Sequence, residues 1–255
     1  MSADDAIPGW VDPATYNEIV AAEGGRIAAV ARDGPLDAKV PHMKRWRMQD
    51  VVAHLGGVHR WATQIVTTCS WDGSGFHRGR DEGETLIRWF EQGVEALTAA
   101  LGAADPTARC PNFSPGSPQV AGFWRRRQAH ETTVHRWDTE SASGSITPIA
   151  PLVATDGIDE LLHTFTRTRG HQVLDDVLEL LTIDTGAAWT LTPTAKPGRV
   201  EVLRGKPVGA AATVSGLAED LVLALWHRLP IEETSLTIAG QTDAAVGFIN
   251  GPVTS

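Results

Sequence analysis

Two histidines and one glutamate have the residue types and the spacing of a three-ligand metal centre. Glu131 and His135 stand four residues apart, so on a helix both side chains leave one face about one turn apart. His54 lies in a second segment, where its neighbours at helical spacing are apolar. Two imidazoles and one carboxylate are the ligand set of a catalytic zinc site, which leaves a fourth position for water or substrate. The sequence therefore predicts an open metal site, provided that the two segments meet.

His130 is excluded from this set by helical geometry. The spacing from His130 to His135 is H-E-x-x-x-H, and five residues turn a helix by about 140° away from a shared metal. Asp138 stays near the face of His135, and either Asp138 or a backbone carbonyl is expected to bind its second ring nitrogen. The alternative is that His54 is a half-buried bundle histidine and Glu131 and His135 are an exposed pair. The spacing alone does not choose between the two interpretations.

Helices must position these side chains, and the first part of the chain predicts four of them. They span about residues 13–32, 48–68, 81–101 and 117–140. Asp12-Pro13 is a typical helix start, and a proline-rich loop precedes the fourth helix, which is predicted to begin near Ser117-Pro118. Four helices of about 20 residues favour an antiparallel bundle, whose interior is a common place for metal sites.

The second part of the chain has a different pattern, which begins after the small residues 141–145. Segments of strand character follow a helix near 152–168, and a helix through Arg228, a strand near 235–239 and a helix near 242–250 complete the pattern. We therefore predict an α+β protein, with a bundle domain over residues 1–145 and a small α+β domain over 146–255.

Composition limits the classes of partner. A net charge of −9 and a pI near 5.4 argue against nucleic acid and against anionic membrane surfaces, and no apolar run is long enough to span a membrane. The acidic start does not have the pattern of a signal peptide, and the two cysteines form no C-x-x-C. We expect a cytoplasmic monomer or homodimer with no nucleic-acid or membrane partner.

Several segments of the chain resemble one known family. The segments Val51-Val52-Ala53-His54-Leu55 and residues 129–138 (AHETTVHRWD) are similar to the mycothiol-dependent maleylpyruvate isomerase family, and the similarity continues through residues 154–162, 212–216 and 221–228. The resemblance implies a DinB-like metal-binding four-helix bundle that binds zinc, or another divalent metal, through His54, Glu131 and His135. It also implies a C-terminal domain like the sterol-carrier proteins, whose functional arginine matches Arg228 in the Leu225–Arg228 stretch.

The same resemblance implies a function. It suggests that mycothiol is the thiol cosubstrate and that the enzyme activates this thiol to attack an electrophilic small molecule. The outcome would be cis–trans isomerisation of a maleylpyruvate-like acid, or transfer of sulfur to another metabolite. The chain's own Cys69 and Cys110 have no basic partner evident in the sequence and are expected to be structural.

Arginines are the expected ligands of acidic groups. Arg228 is a candidate catalytic and cofactor-binding residue, although a cation at a helix end has an equally good structural explanation. Arg78 and Arg80 lie in a glycine-rich link and could line the mouth of the site as cofactor-binding residues. Of the run 125–127, at most one or two arginines can face the site, and most are expected on a solvated face.

Two other function classes are compatible with the sequence. One is a metal-water hydrolase that needs no thiol and uses Asp138 or a nearby carboxylate as base. The other is a non-catalytic protein that binds an apolar small molecule in the C-terminal half, which the nine tryptophans suggest. Turnover without a thiol would favour the first class, and function that survives Glu131→Gln would favour the second.

Overall fold

The structure, a computed structural model, consists of two compact units. It describes residues 10–79, 83–114, 117–166, 174–195, 199–205 and 209–251. The first unit comprises Met1–Phe113 and Pro118–Pro148, and the second comprises Ser114–Ser117 and Ile149–Ser255. The first is helical and the second contains a mixed five-stranded sheet, so the predicted α+β class is confirmed. None of the helices in the described ranges is long and apolar enough to cross a membrane.

Four long helices build the first unit. They are α1 (Tyr16–Asp33), α2 (Met48–Thr68), α3 (Gly83–Ala103) and α4 (Ala121–Ser143). The predicted start at Asp12-Pro13 is confirmed, because the Asp12 side chain accepts a hydrogen bond from the Ala14 N–H at the head of a 3₁₀ turn that leads into α1.

Two apolar clusters fix the directions of these helices. The first half of α1 packs with the last turns of α2 and α3 and with the start of α4, whereas the second half of α1 packs with the first turns of α2 and α3. Helices α1 and α4 therefore run one way and α2 and α3 the other. Because α2 and α3 are parallel, the link between them has to travel back along α2. This return brings the link close to the side chains of α2 that face the candidate site.

Helix α4 begins later than the sequence indicated. The predicted start near Ser117-Pro118 is wrong, because Val120 forms an isolated antiparallel bridge with Arg109. The Cys110 N–H also donates to the Gln119 carbonyl at 2.9 Å. The backbone before Ala121 is thus extended, and the helix can begin only after this pairing ends.

The second unit packs helices on a sheet of order β3-β2-β1-β4-β5, in which only the β1–β4 pair is parallel. Its elements are α5 (Pro151–Thr164), β1 (Leu178–Thr182), β2 (Ala188–Pro193), β3 (Val200–Arg204), β4 (Ala212–Gly216), α6 (Ala218–Leu225), β5 (Thr237–Gly240) and α7 (Thr242–Ile249). In β1 and β4 every second residue is buried, which is the alternation of strands with one face in a core.

Candidate functional site

Helices α2 and α4 bring the three predicted ligands together. The distance from His54 Nε2 to Glu131 Oε1 is 3.4 Å, and from His135 Nε2 to the same oxygen 3.3 Å. One donor atom from each residue lies within 4.8 Å of the others. Donors bound to one zinc ion at about 2.1 Å in a tetrahedral arrangement stand about 3.4 Å apart, so the two measured distances suit a shared ion. Two imidazole nitrogens and one carboxylate oxygen can thus hold a divalent metal here.

Asp138 holds His135 in the orientation that this site needs. Its Oδ2 lies 2.8 Å from His135 Nδ1, and its side chain is fully buried. A carboxylate in this place accepts the Nδ1 proton in a hydrogen bond, so Nε2 is the nitrogen that faces Glu131 and His54 and that can bind an ion. Burial by itself would lower the pKa of His135, but the hydrogen bonds to Asp138 and Glu131 outweigh burial and raise this pKa.

Arg127 holds the other oxygen of Glu131. Its Nη2 lies 2.5 Å from Glu131 Oε2, one helical turn earlier on α4, and the arginine is buried. Burial favours the protonated form of Glu131, yet the charge of Arg127 and the hydrogen bonds from His135 and His54 hold the pKa of Glu131 well below its usual range. The carboxylate is therefore ionised, with one oxygen paired and the other directed to the histidines.

Aromatic rings wall the two imidazoles. Trp46 lies parallel to His135 with ring centroids 6.1 Å apart, and it meets the His54 ring at a steep angle with centroids 4.9 Å apart. Phe76 also meets the His54 ring edge-on, with ring centroids 4.6 Å apart. Burial among these groups is the largest cause that lowers the pKa of His54, which keeps its ring neutral and able to bind a metal.

The link between α2 and α3 supplies Phe76 and Arg78, and a glycine of α2 lets it approach. A Cβ on Gly57 would lie 2.2 Å from the His77 carbonyl oxygen of the link, whereas one on Gly56 would collide with the Trp89 ring of α3. The Gly79 N–H also donates to the Ala53 carbonyl at 3.0 Å. Residues 77–79 of the link therefore lie directly on α2 next to His54, because Gly57 has no side chain.

The predicted arginines have three different outcomes. Arg78 lies at the site, with its guanidinium carbon 4.4 Å from the centre of the Trp46 ring. Arg80 lies outside the described residues. Arg228 lies in the second unit just beyond α6 and donates to the Trp226 carbonyl at 2.8 Å, which is the contact expected of a cation at a helix end. Its role in binding or catalysis stays a prediction.

Sequence reasoning did not single out Arg127 from the basic run 125–127, and it missed Trp46 as a residue of the site. The spacing of Arg127 four residues before Glu131 was an available signal, because oppositely charged residues at this spacing meet on a helix. Arg125, in the same basic run, instead donates to the carbonyls of Leu101 and Ala104. No local pattern marks Trp46, because it lies in the connection between α1 and α2 and reaches the site only through tertiary packing.

The excluded histidine lies on another face of α4. The ring of His130 packs edge-on against Tyr16 of α1, with centroids 6.1 Å apart. His59 is buried on α2, a little more than one turn after His54. Its Nε2 lies 3.0 Å from Thr132 Oγ1. The Thr132 hydroxyl donates its proton to the Gln128 carbonyl, so His59 must donate from Nε2 and remain unprotonated at Nδ1.

Comparison with known proteins gives matches in both units. Residues 18–140 match the family model of the mycothiol maleylpyruvate isomerase N-terminal domain, and residues 153–247 match that of the MDMPI C-terminal domain. No curated protein matches the chain.

Two solved structures have a similar fold. A crystal structure of the mycothiol-dependent maleylpyruvate isomerase has a TM-score of 0.62 at 12% identity, and one of a histidine-to-alanine mutant has a TM-score of 0.64 at 11% identity. Each alignment covers 91% of this chain and 96% of the other chain. At these identities the likeness shows the fold. The two family models together match most of the sequence, and the chain therefore belongs to the mycothiol-dependent maleylpyruvate isomerase family.

Proposed function

We propose that this protein is a metal-dependent enzyme that uses mycothiol to attack an electrophilic small molecule. The observation that carries the proposal is the convergence of His54, Glu131 and His135 on one point in a chain of this family. Zinc usually binds four ligands and the protein supplies three here, so an ion at this site would have one position open to a ligand from outside the protein. When bound there, zinc or a related divalent ion would supply a Lewis acid that lowers the pKa of a coordinated thiol.

The surrounding residues prepare this site for a metal ion. Asp138 fixes His135, and Arg127 keeps Glu131 ionised, so the three donors need no rearrangement before an ion binds. Trp46 and Phe76 cover the imidazoles and reduce the access of water. A site with few competing water molecules strengthens the interactions between charged groups.

The thiol has to come from outside the chain. Cys110 is buried, and burial is the largest cause that raises the pKa of its thiol to about 11. Its Sγ lies 3.6 Å from the Ile65 carbonyl, and Cys69 Sγ lies 3.7 Å from the Val66 carbonyl at the end of α2. The C-terminal end of a helix disfavours a thiolate, so neither cysteine is suited to nucleophilic attack.

Within this proposal, the substrate chemistry has two forms. One is cis–trans isomerisation of a maleylpyruvate-like acid, and the other is transfer of sulfur to a different metabolite. Arg78 and Arg228 are proposed to bind acidic groups of the cosubstrate or substrate. We also propose a cytoplasmic monomer or homodimer whose DinB-like and sterol-carrier-like domains occupy residues 1–145 and 146–255.

Metal analysis and product analysis test the proposal. Purified protein is expected to contain about one divalent metal ion per chain, and His54→Ala is expected to lose it. Protein incubated with mycothiol and candidate electrophiles should yield an isomerised product or a sulfur adduct by mass spectrometry. Full metal content in His54→Ala would contradict the metal site, and equal turnover without any thiol would contradict the role of mycothiol.

The hydrolase alternative has weaker support. Its first candidate base, Asp138, is fully buried and already bound to His135 Nδ1. A base has to reach the water that it deprotonates, and Asp138 faces away from the donor atoms that would hold the ion. The non-catalytic alternative is tested by Glu131→Gln, which should abolish turnover if the site is catalytic.

A further inference from the structure

Trp46 has a position that its contacts with the imidazoles do not fully explain. Its indole lies beside His54 and His135, and the Arg78 guanidinium lies over the same indole, with its carbon 4.4 Å from the ring centre. Trp46 thus connects the metal centre to a cation at the rim of the site. The role inferred here for Trp46 rests on the proposed function, because it concerns the ligand that would occupy the open metal position.

The backbone around Trp46 is firmly held. The Val40 N–H donates to the Trp46 carbonyl at 3.0 Å, and the Trp46 N–H donates to the Met43 carbonyl at 2.9 Å. Directly after it, the Arg47 N–H donates to the Asp50 carboxylate at 2.8 Å, which caps the start of α2. The backbone that carries the indole is therefore held on both sides, and the indole itself packs against His54 and His135.

Arg78 has unused hydrogen-bond donors. Its side chain is exposed, and it forms no hydrogen bond or ion pair with any residue in the described ranges. A guanidinium that is stacked on a ring keeps its N–H donors free at its edge, where they can bind a carboxylate with two hydrogen bonds. Arg78 also lies near enough to His54 for its charge to lower the pKa of that residue.

The net charge of the chain makes this cation informative. At −9 the protein as a whole repels anions, so an anionic ligand needs a local positive group to bind at the site. Arg78 is such a group, and Trp46 restricts where its guanidinium can lie. A flexible exposed arginine without a ring to stack on would lose more conformational entropy on binding an anion.

We propose that Trp46 is a positioning residue that holds Arg78 beside the open metal position, so that the site selects ligands with a carboxylate group. In this arrangement the metal receives one end of the ligand and Arg78 receives the carboxylate. Trp46 itself contacts neither reacting atom. It sets the specificity of the site by fixing the second point of attachment.

Cobalt-substituted protein gives a direct test that does not depend on turnover. Binding of a thiolate to Co(II) produces a sulfur-to-metal charge-transfer band, which can be titrated with small thiols. All probes bind the metal through sulfur and differ at their other end. In 2-mercaptoethanol this end is an uncharged hydroxyl, whereas thioglycolate, 3-mercaptopropionate and 4-mercaptobutyrate place a carboxylate at increasing distance from the sulfur. The experiment is done near 0.15 M salt, where the attraction between distant exposed charges is largely screened.

The expected result is a charge preference that depends on both residues. In the wild type at least one mercapto acid should bind about tenfold more tightly than 2-mercaptoethanol, as expected for a charge-assisted hydrogen bond. The preference is the ratio of the two affinities measured in the same protein, so a change that affects all thiols alike cancels. Arg78→Met and Trp46→Leu should each remove most of this preference, and Trp46→Phe should keep part of it. The double variant should lose no more than Arg78→Met alone, because the two residues act together.

A control separates this effect from a general loss of positive charge. Arg45 is exposed and adjacent to Trp46, and Arg45→Met should keep the preference. An equal affinity of the wild type for neutral and acidic thiols would overturn the inference, as would a preference that survives Arg78→Met or Trp46→Leu. If the wild type binds no Co(II), or if no thiol produces the band, the proposed function itself fails instead.

Discussion

Asp138 and Arg127 each bind the half of a candidate ligand that would otherwise be free. Asp138 takes the Nδ1 side of His135, and Arg127 takes one oxygen of Glu131. Neither residue would touch an ion held by the trio, yet both decide which donor atoms face it. At the scale of single residues, the site is therefore specified by the partners of the ligands as much as by the ligands themselves.

Removal of Asp138 should weaken metal binding without removing a ligand. In Asp138→Ala the imidazole of His135 can rotate and change tautomer, so we expect about 10–100-fold lower zinc affinity, measured by competition with a chromogenic chelator. Ser141→Ala is a matched control on α4, because the Ser141 hydroxyl only donates to the Asp138 backbone carbonyl. Unchanged zinc affinity in Asp138→Ala would show that Asp138 does not orient His135.

The buried His59 should make the protein less stable toward unfolding in acid. Burial is the largest cause that lowers its pKa to about 3, because a proton on Nδ1 would be buried without an acceptor. An unfolded chain binds this proton near pH 6.5 and the folded protein does not, so the free energy of unfolding falls as the pH drops below 6.5. The loss contributed by this residue is about 1.4 kcal/mol per pH unit until the pH approaches 3.

The variant His59→Gln isolates this contribution, since glutamine can still donate to Thr132 but does not titrate. Urea unfolding at pH 7.5 and pH 5.0 should show a difference in unfolding free energy that is about 2 kcal/mol smaller in the variant than in the wild type. The same pH dependence in both proteins would mean that His59 is protonated in the folded state. The comparison uses differences between pH values, so a uniform loss of stability in the variant does not affect it.

At the scale of elements, the link after α2 completes the site because α2 has a glycine where the link lies against it. The link places Phe76 against His54 and Arg78 on Trp46, and Gly57 permits its approach. Glycine within a helix lowers the stability of that helix by about 1 kcal/mol relative to alanine, so Gly57 is unfavourable for α2 taken alone. The close approach of the link explains why α2 tolerates this cost.

Two glycine-to-alanine variants test this explanation in opposite directions. A methyl group at Gly57 would meet the backbone carbonyl of His77, so Gly57→Ala should destabilise the bundle by about 1–3 kcal/mol and displace the link. Gly25 lies in the exposed middle of α1, and a methyl group added there would have no neighbouring atom within 4 Å, so Gly25→Ala should stabilise the protein by about 0.5–1 kcal/mol. Chemical denaturation measures both, and stabilisation by Gly57→Ala would contradict the packing.

At the scale of the whole molecule, metal binding should stabilise one unit selectively. All three candidate ligands belong to the helical unit, on α2 and α4. Zinc at 100 times its dissociation constant should add about 2.7 kcal/mol to the stability of the folded form that binds it. Hydrogen exchange should therefore slow in α2 and α4 and change little in the β1–β5 sheet.

His54→Ala is the control for this measurement, because it should abolish the effect of zinc on exchange. A chelator should reverse the protection in the wild type only. Equal protection of the sheet and the bundle would mean that zinc acts through both units, and protection that persists in His54→Ala would place the ion elsewhere.

Much of the fold could be predicted because its signals are local. The helical spacing of apolar residues in α2, the Asp12-Pro13 start and the alternation in β1 and β4 each follow from the positions of a few neighbouring residues. The start of α4 was wrong because the residues before it pair with residues 108–110, and a pairing across a loop leaves no periodic pattern. The direction of α3 also depended on packing, since its amphipathic face is compatible with either direction.

The sequence by itself determined which residues could act as ligands and which could not. Spacing on a helix joined Glu131 to His135 and removed His130, because both results need only the geometry of one helix. Only the tertiary structure decided that Asp138 rather than a carbonyl binds His135, that Arg127 pairs with Glu131, and that Trp46 and Arg78 form the rim. The first two depend on rotamers and burial within α4, and the rim joins two segments that the whole of α2 separates in the sequence. Their meeting is set by the packing of the bundle, for which no single segment holds the information.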